Sequence, residues 1–269
     1  MPGNAGRSDR SGRRGGPKSR EEQISRALSK LLRHQAEKEG LVLGPGGYIN
    51  LQEVINNRNI RSLKVTVPEI KAIVANNDKQ RFKLIPVAEA KSSQCDDYVD
   101  TASKADCEND DPSQWLIRAN QGHSIKVDEE GLMEPITLDG EIPSIVVHGT
   151  TSKAWPLILS SGGLKKMSRN HIHFAAGLPA GFASVTAAQE AGNNANKEPV
   201  ISGMRNSSNI LIYIDIAKAL KSGIKFWKSA NGVILSEGNE SGQIPIEYFK
   251  QVEDRRGLAV IMKDGELKA

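Results

Sequence analysis

Residues 21–34 read EEQISRALSKLLRH, and this stretch decides the first half of the fold. Ile24, Ala27, Leu28, Leu31 and Leu32 recur at the i, i+3, i+4, i+7 and i+8 spacing that lines one face of a helix with apolar side chains. Gly40 offers the stop. On the same ideal helix Arg33 falls roughly opposite the stripe, which by periodicity alone makes it a solvated surface residue. Downstream, two shorter helices announce themselves by capping-box spacing: Asn50 with Glu53 before Val54 and Ile55, and Thr66 with Glu69 before Ile70, Ile73 and Val74. Gly44-Pro45-Gly46-Gly47 reads as a turn. After the turn-like Asn76-Asn77-Asp78, residues 81–85 and 115–119 read as strands. Three helices and a two-stranded hairpin make a winged-helix-like lobe.

Upstream of this lobe, residues 1–20 carry six basic side chains against one acid and nothing apolar to bury, so they are expected to be a disordered basic tail. Residues 88–113, between the two strands, carry eight acids against two lysines and read as a long acidic loop insert. The net charge of +4 hides this asymmetry. What remains is mildly basic, which suits an anionic ligand. Both cysteines, Cys95 and Cys107, fall in the insert; two thiols exclude a disulfide framework and a four-thiolate zinc site.

Past Pro143 the texture changes to short apolar runs with Gly-rich connections: 145–147, 171–174, 209–214, 224–227 and 233–235. They predict a second lobe of short strands, with small helices near 152–160 and, capped by Asp215, at 216–221. The fold class is therefore α+β. With 269 residues, 38% hydrophobic and 25% charged, the chain has the balance of a two-domain globular protein. Its longest apolar runs, 142–147 and 210–214, fall far short of the roughly 18 residues needed to cross a bilayer. The expectation is a soluble intracellular protein, in the cytoplasm or the nucleus, with no membrane partner and monomeric.

All five histidines occur in compact polar motifs. Metal binding is the obvious rival for such residues, but there is no His-Glu-x-x-His, and His171 and His173 on one strand face have no nearby carboxylate or thiolate to complete a site. No metal is expected. Arg118 sits within an otherwise apolar strand, where alternation places it with Leu116 on the face opposite Trp115 and Ile117.

Taken in order, these motifs become specific. Leu32-Arg33-His34, then Ile117-Arg118-Ala119-Asn120-Gln121-Gly122-His123-Ser124, Val147-His148-Gly149-Thr150, Gly163-Leu164, Met167-Ser168-Arg169-Asn170-His171-Ile172-His173-Phe174, Asn231-Gly232-Val233-Ile234-Leu235, Ile244-Pro245 and Tyr248-Phe249 resemble the RNA 2′-phosphotransferase family, in a eukaryotic and fungal form. The match runs from about residue 21 to 253, omitting tail and insert. It implies a winged-helix RNA-binding lobe over 21–138 and an ADP-ribosyltransferase-like, NAD-binding lobe over 139–269, with the active site between them.

The resemblance also implies the reaction, the last step of tRNA splicing. An internal 2′-phosphate on tRNA attacks the nicotinamide ribose of NAD and expels nicotinamide. The ribose 2″-hydroxyl of the RNA-2′-phospho-ADP-ribose intermediate then attacks phosphorus, releasing 2′-hydroxyl RNA and ADP-ribose 1″,2″-cyclic phosphate. NAD is consumed as a co-substrate. Motif positions imply that Arg33, His34, Arg118 and Arg169 are catalytic, permanent cations in a planar donor fork being the appropriate clamp for a phosphate. His34 is a candidate general acid or base. By the same carry-over, His123 and Ser124 meet phosphate or RNA, while His148, Gly149, Thr150, Gly163, Leu164, His171, His173 and Phe174 form the NAD pocket. The glutamate found late in many ADP-ribosyltransferases has only Glu237 as a loose counterpart; a phosphate nucleophile needs no such base. The alternatives are a mono-ADP-ribosyltransferase acting on protein or terminal nucleic-acid phosphates, and an RNA reader whose second lobe senses ADP-ribose.

Overall fold

Helix α1 (Arg20–Lys30) begins where Ser19 accepts a hydrogen bond from the Glu22 N–H, with Glu21 and Glu22 placed in the first turn where the helix dipole favours acids. Its stripe is buried as the spacing requires: Ile24, Leu28, Leu31 and Leu32 are each no more than 1% exposed. The helix does not end at Lys30, however. It widens into a π-helical turn over Leu31–Gln35 and then tightens into a 3-10 turn, Glu37–Glu39, closed by Gly40 at a φ of 74°. The computed structural model in which this is seen describes residues 19–92, 109–128, 131–179, 182–185, 200, 204–205 and 207–268. The expected tail up to residue 18, most of the acidic insert and both cysteines lie outside the described residues.

Both expected caps form. Asn50 caps α2 (Leu51–Asn56), and Thr66 and Glu69 close a reciprocal capping box on α4 (Val67–Ala75). A four-residue helix between them, α3 (Arg58–Arg61), is capped by Asn57. Strands β1 (Ile49–Asn50), β2 (Phe82–Pro86) and β3 (Trp115–Ala119) pair antiparallel in the order β1-β3-β2, with Phe82 opposite Ala119 and Pro86 opposite Trp115. A short helix, α5 (Val87–Ser92), follows β2 where the sequence suggested only a loop.

The second lobe is built from short strands, as its texture predicts. A four-stranded sheet has the order β4-β9-β10-β7, from Met133–Ile136, Lys225–Ser229, Ile234–Gly238 and Ile172–Phe174. A five-stranded sheet runs β14-β13-β12-β8-β5, from Glu266–Leu267, Ala259–Lys263, Phe249–Asp254, Ile210–Ile214 and Val147–Thr150. Strands β6 (Gly163–Lys165) and β11 (Gln243–Pro245) form a separate ladder. Phe174, Phe226 and Ile234 from the first sheet share one apolar core with Ile212, Phe249 and Val252 from the second. Helices α6 (Trp155–Ser160) and α7 (Ile216–Lys221) flank this core, and Asp215 caps α7 through the Lys218 N–H at 2.9 Å.

The chain is α+β throughout. One boundary moves: β4 hydrogen-bonds to β9, so the chain has entered the second lobe by Met133, ahead of the expected division between 138 and 139. The lobes are tied by backbone contacts. The Asn170 N–H donates to the His123 carbonyl at 3.0 Å and the Asn170 side chain to the Ile125 carbonyl at 2.9 Å, while within the first lobe the Ser124 N–H donates to the Arg33 carbonyl at 3.0 Å. Asn231 donates to the Lys79 carbonyl at 3.0 Å. No helix among the described residues is long and apolar enough to cross a membrane.

Candidate active site

The π-helical turn accounts for the burial of Arg33. An α-helix would leave Arg33 on the solvent side; the wider turn rotates it inward, and it is only 9% exposed beside Leu31 and Leu32. Its Nε and Nη2 are buried with no hydrogen-bond partner, and no carboxylate among the described residues offsets its charge. Burial, then the repulsion of Arg169 and Arg81, pulls its pKa down to about 10. Such a group is costly to hold in place unless an anion arrives.

Arg169 comes from the turn between β6 and β7, held by the Asn170 contacts to the first lobe; burial and Arg205 lower its pKa. His34 follows Arg33 on the π turn and shares a 2.8 Å hydrogen bond between its Nδ1 and the Ser124 hydroxyl. Burial, Arg169 and Arg33 all push its pKa below the usual imidazole range, so the ring is neutral at pH 7. His123 is 6% exposed, with Nε2 unpartnered and a pKa pushed down to about 4 by burial, helped by Arg33, His34, His171 and Arg118. Gln121, Gly122, His123, Asn170, His171 and Leu235 line one small cleft at the junction of the lobes.

Arg118 stands apart from this group. It is 3% exposed, and its Nη1 donates to the carbonyls of Gly46 and Gly131, each at 3.0 Å, with its guanidinium stacked 4.6 Å over the Tyr48 ring. Its Nε is buried without a partner. Two of its donors' directions are therefore spent on holding the 44–47 turn and the approach to β4.

On the second lobe, His148 Nδ1 lies 2.9 Å from the His173 carbonyl and His173 Nδ1 lies 3.0 Å from the His171 carbonyl. His173 feels Arg169 and Arg33, and burial above all holds its pKa near 3. Phe174 packs edge-on against His148 at 6.0 Å, and the His171 ring meets Trp227 at 5.6 Å. Thr150 continues the β5 ladder opposite Ile210. Three other expected pocket residues have packing reasons of their own. Gly149 lies under the Met204 side chain, which a Cβ would strike; Gly163, at a φ of 154°, passes against the Ile244 carbonyl in the β6–β11 ladder; Leu164 is 3% exposed in the core. Sequence reasoning missed Arg81, Tyr48 and Asn170, because their roles depend on contacts between elements distant in the chain.

A family model described as "RNA 2'-phosphotransferase, Tpt1 / KptA family" matches residues 19–238. The chain belongs to the RNA 2′-phosphotransferase family. Among its relatives is the tRNA 2'-phosphotransferase 1 of Danio rerio, 36% identical over 251 residues, covering 92% of this chain and 93% of that one. The human protein of the same name is 37% identical over 91% of this chain and 83% of its own. The tRNA 2'-phosphotransferase of Saccharomyces cerevisiae is 34% identical over 87% of this chain and 84% of its own. Every cation and imidazole discussed above lies inside the span that the RNA 2′-phosphotransferase family model covers.

Proposed function

We propose that this chain removes the internal 2′-phosphate from spliced tRNA and transfers it to NAD, using the first lobe as a winged-helix RNA platform and the second as an ADP-ribosyltransferase-like NAD site. The observation that carries this reading is the buried Arg33 guanidinium, with Nε and Nη2 unpartnered, beside Arg169. A phosphate monoester near pH 7 carries roughly −1.5 to −2 charge and three acceptor oxygens, which is the ligand that these donors lack. The relatives' printed names, tRNA 2'-phosphotransferase, supply the substrate class.

The residues of the second lobe fit a dinucleotide co-substrate. His148 and His173 each tether Nδ1 to a backbone carbonyl, which leaves Nε2 of each ring free to accept, and Phe174 buttresses the His148 ring. NAD supplies an electrophilic ribose carbon and nicotinamide as its leaving group. Around it, Arg33 and Arg169 hold the phosphoryl oxygens, in the first step orienting the nucleophile and in the second stabilising the charge that develops on those oxygens. Removing one such preorganised donor costs roughly 10²–10³ in rate. His34, neutral and fixed by Ser124, exchanges a proton with the RNA 2′-oxygen. Arg118 supports the cleft from below and adds positive field at His123.

The test is an oligoribonucleotide bearing one internal 2′-phosphate, incubated with the protein with and without NAD. The phosphate is expected to leave only when NAD is present, appearing as ADP-ribose 1″,2″-cyclic phosphate. Phosphate that stays in place with NAD overturns the reading, and a stable ADP-ribosylated RNA end product turns it into a plain ADP-ribosyl transfer.

A further inference from the structure

Around the junction of the lobes two kinds of buried polar atom lack a hydrogen-bond partner, and they make opposite demands. Arg33 Nε and Nη2 are orphaned donors; His123 Nε2 and His173 Nε2 are orphaned ring nitrogens. Donors ask for an oxyanion. What a ring nitrogen asks for depends on its tautomer, and for His173 the backbone settles that. Its Nδ1 faces the His171 carbonyl at 3.0 Å, and a carbonyl oxygen only accepts, so the proton sits on Nδ1. The ring is neutral, because burial beside two guanidinium groups excludes a second proton. Nε2 therefore carries a bare lone pair, buried and without a partner, within electrostatic range of Arg33 and Arg169. A phosphate alone cannot satisfy it, since a phosphate dianion brings no proton. A ligand that satisfies both kinds of atom brings a hydroxyl donor next to its anionic group.

We propose that His173 Nε2 accepts the hydrogen bond of the NAD ribose 2″-hydroxyl and takes its proton when that hydroxyl attacks phosphorus. The assignment rests on the phosphotransfer reading given above. In the step, the 2″-O–H bond breaks with its proton passing to His173 Nε2, the 2″-O–P bond forms, and the P–O bond to the RNA 2′-oxygen breaks. The departing 2′-oxygen takes a proton through His34, which recovers one from water, and His173 returns its own to solvent after product leaves. A phosphate held between the guanidinium groups and the ring cancels the positive field that keeps His173 unprotonated in the free protein, so the ring gains basicity only when the substrate is in place. His148 shares the Nδ1-to-carbonyl tether through the His173 carbonyl, which fixes the edge of β7 that carries the base.

His173→Asn separates the two functions of the ring, because the Asn amide can still donate to the His171 carbonyl while the Nε2 acceptor is gone. Single-turnover kinetics with 2′-phosphorylated RNA and NAD are expected to show the second step slowed by roughly 10²-fold or more, in the range of a lost general base. The first step should change less than about fivefold, so RNA-2′-phospho-ADP-ribose accumulates. A readout independent of turnover is calorimetric binding of ADP-ribose and of its 2″-deoxy counterpart. The wild-type protein is expected to prefer ADP-ribose by about tenfold, as for one buried hydrogen bond, and His173→Asn to bind both alike. A variant that slows both steps equally, or that keeps the wild-type preference for the 2″-hydroxyl, overturns the assignment of His173 alone. A wild-type protein that binds neither ligand overturns the NAD reading and this assignment with it.

Discussion

Arg33 and Arg169 bring guanidinium groups to the lobe junction; His173, on β7, feels both, and His148, on β5, is tied to its carbonyl. Burial acts on both kinds of side chain, yet it leaves them in opposite states. Arginine has so high a pKa that even a shift to about 10 leaves Arg33 charged at neutral pH, so its side of the cleft stores an unpaired cation. Imidazole titrates near 6.5, so the same desolvation strips its proton and leaves a neutral acceptor. One physical cause thus leaves a charged donor where the side chain is arginine and a neutral acceptor where it is histidine.

The sharpest way to break this contrast is Arg33→Met, which keeps the stem and deletes the cation. Turnover of 2′-phosphorylated RNA is expected to fall by roughly 10²–10³-fold. Stability should move the other way, rising by about 1–2 kcal/mol in urea unfolding as two orphaned buried donors disappear. A loss of stability alongside activity would show that Arg33 is held by the fold for its own packing.

The imidazole side is tested by pH. In the unfolded chain these rings bind a proton near 6.5, whereas in the folded protein His123 does so near 4 and His173 near 3. Between those limits the unfolded state carries more protons, so the stabilisation is complete above about pH 7 and is lost as the pH falls. The pair should account for a loss of about 3–4 kcal/mol between pH 7 and pH 5, and His173→Asn should remove roughly half of that slope. A stability that stays flat down to pH 5 would mean that the two rings are hydrated and unremarkable.

The smallest effect calibrates the others from outside the cleft. Thr66→Ala removes one arm of the α4 capping box, for an expected loss of about 1 kcal/mol with no change in activity. If activity also falls, helix placement in the first lobe is coupled to the site and the Arg33 measurement must be read accordingly.

Local rules made much of the scaffold legible. Ile24, Leu28 and Leu31 fixed α1, Thr66 with Glu69 fixed α4, and Asp215 fixed α7, because periodicity and capping act over a few residues. The C-terminal strands escaped notice for an equally local reason: a register shift between Val252 and Glu253 in β12 puts both side chains inside and erases the period-two pattern. The motifs named the side chains of the site but not their states. Arg33 looks solvated on an ideal helix, and only the π turn over Leu31–Gln35 turns it inward. The motifs assign Gly149 and Gly163 to the NAD pocket, and the fold adds a packing need of its own, since Met204 and the Ile244 carbonyl occupy the space that a Cβ would take.

The Asn170 strap has a consequence for how the two lobes can move. Its backbone N–H and side-chain amide are bound to the carbonyls of His123 and Ile125, one residue along the chain from Arg169. Any hinge motion that parts the lobes at this point must break both hydrogen bonds together, so Arg169 travels with the first lobe for as long as the strap holds.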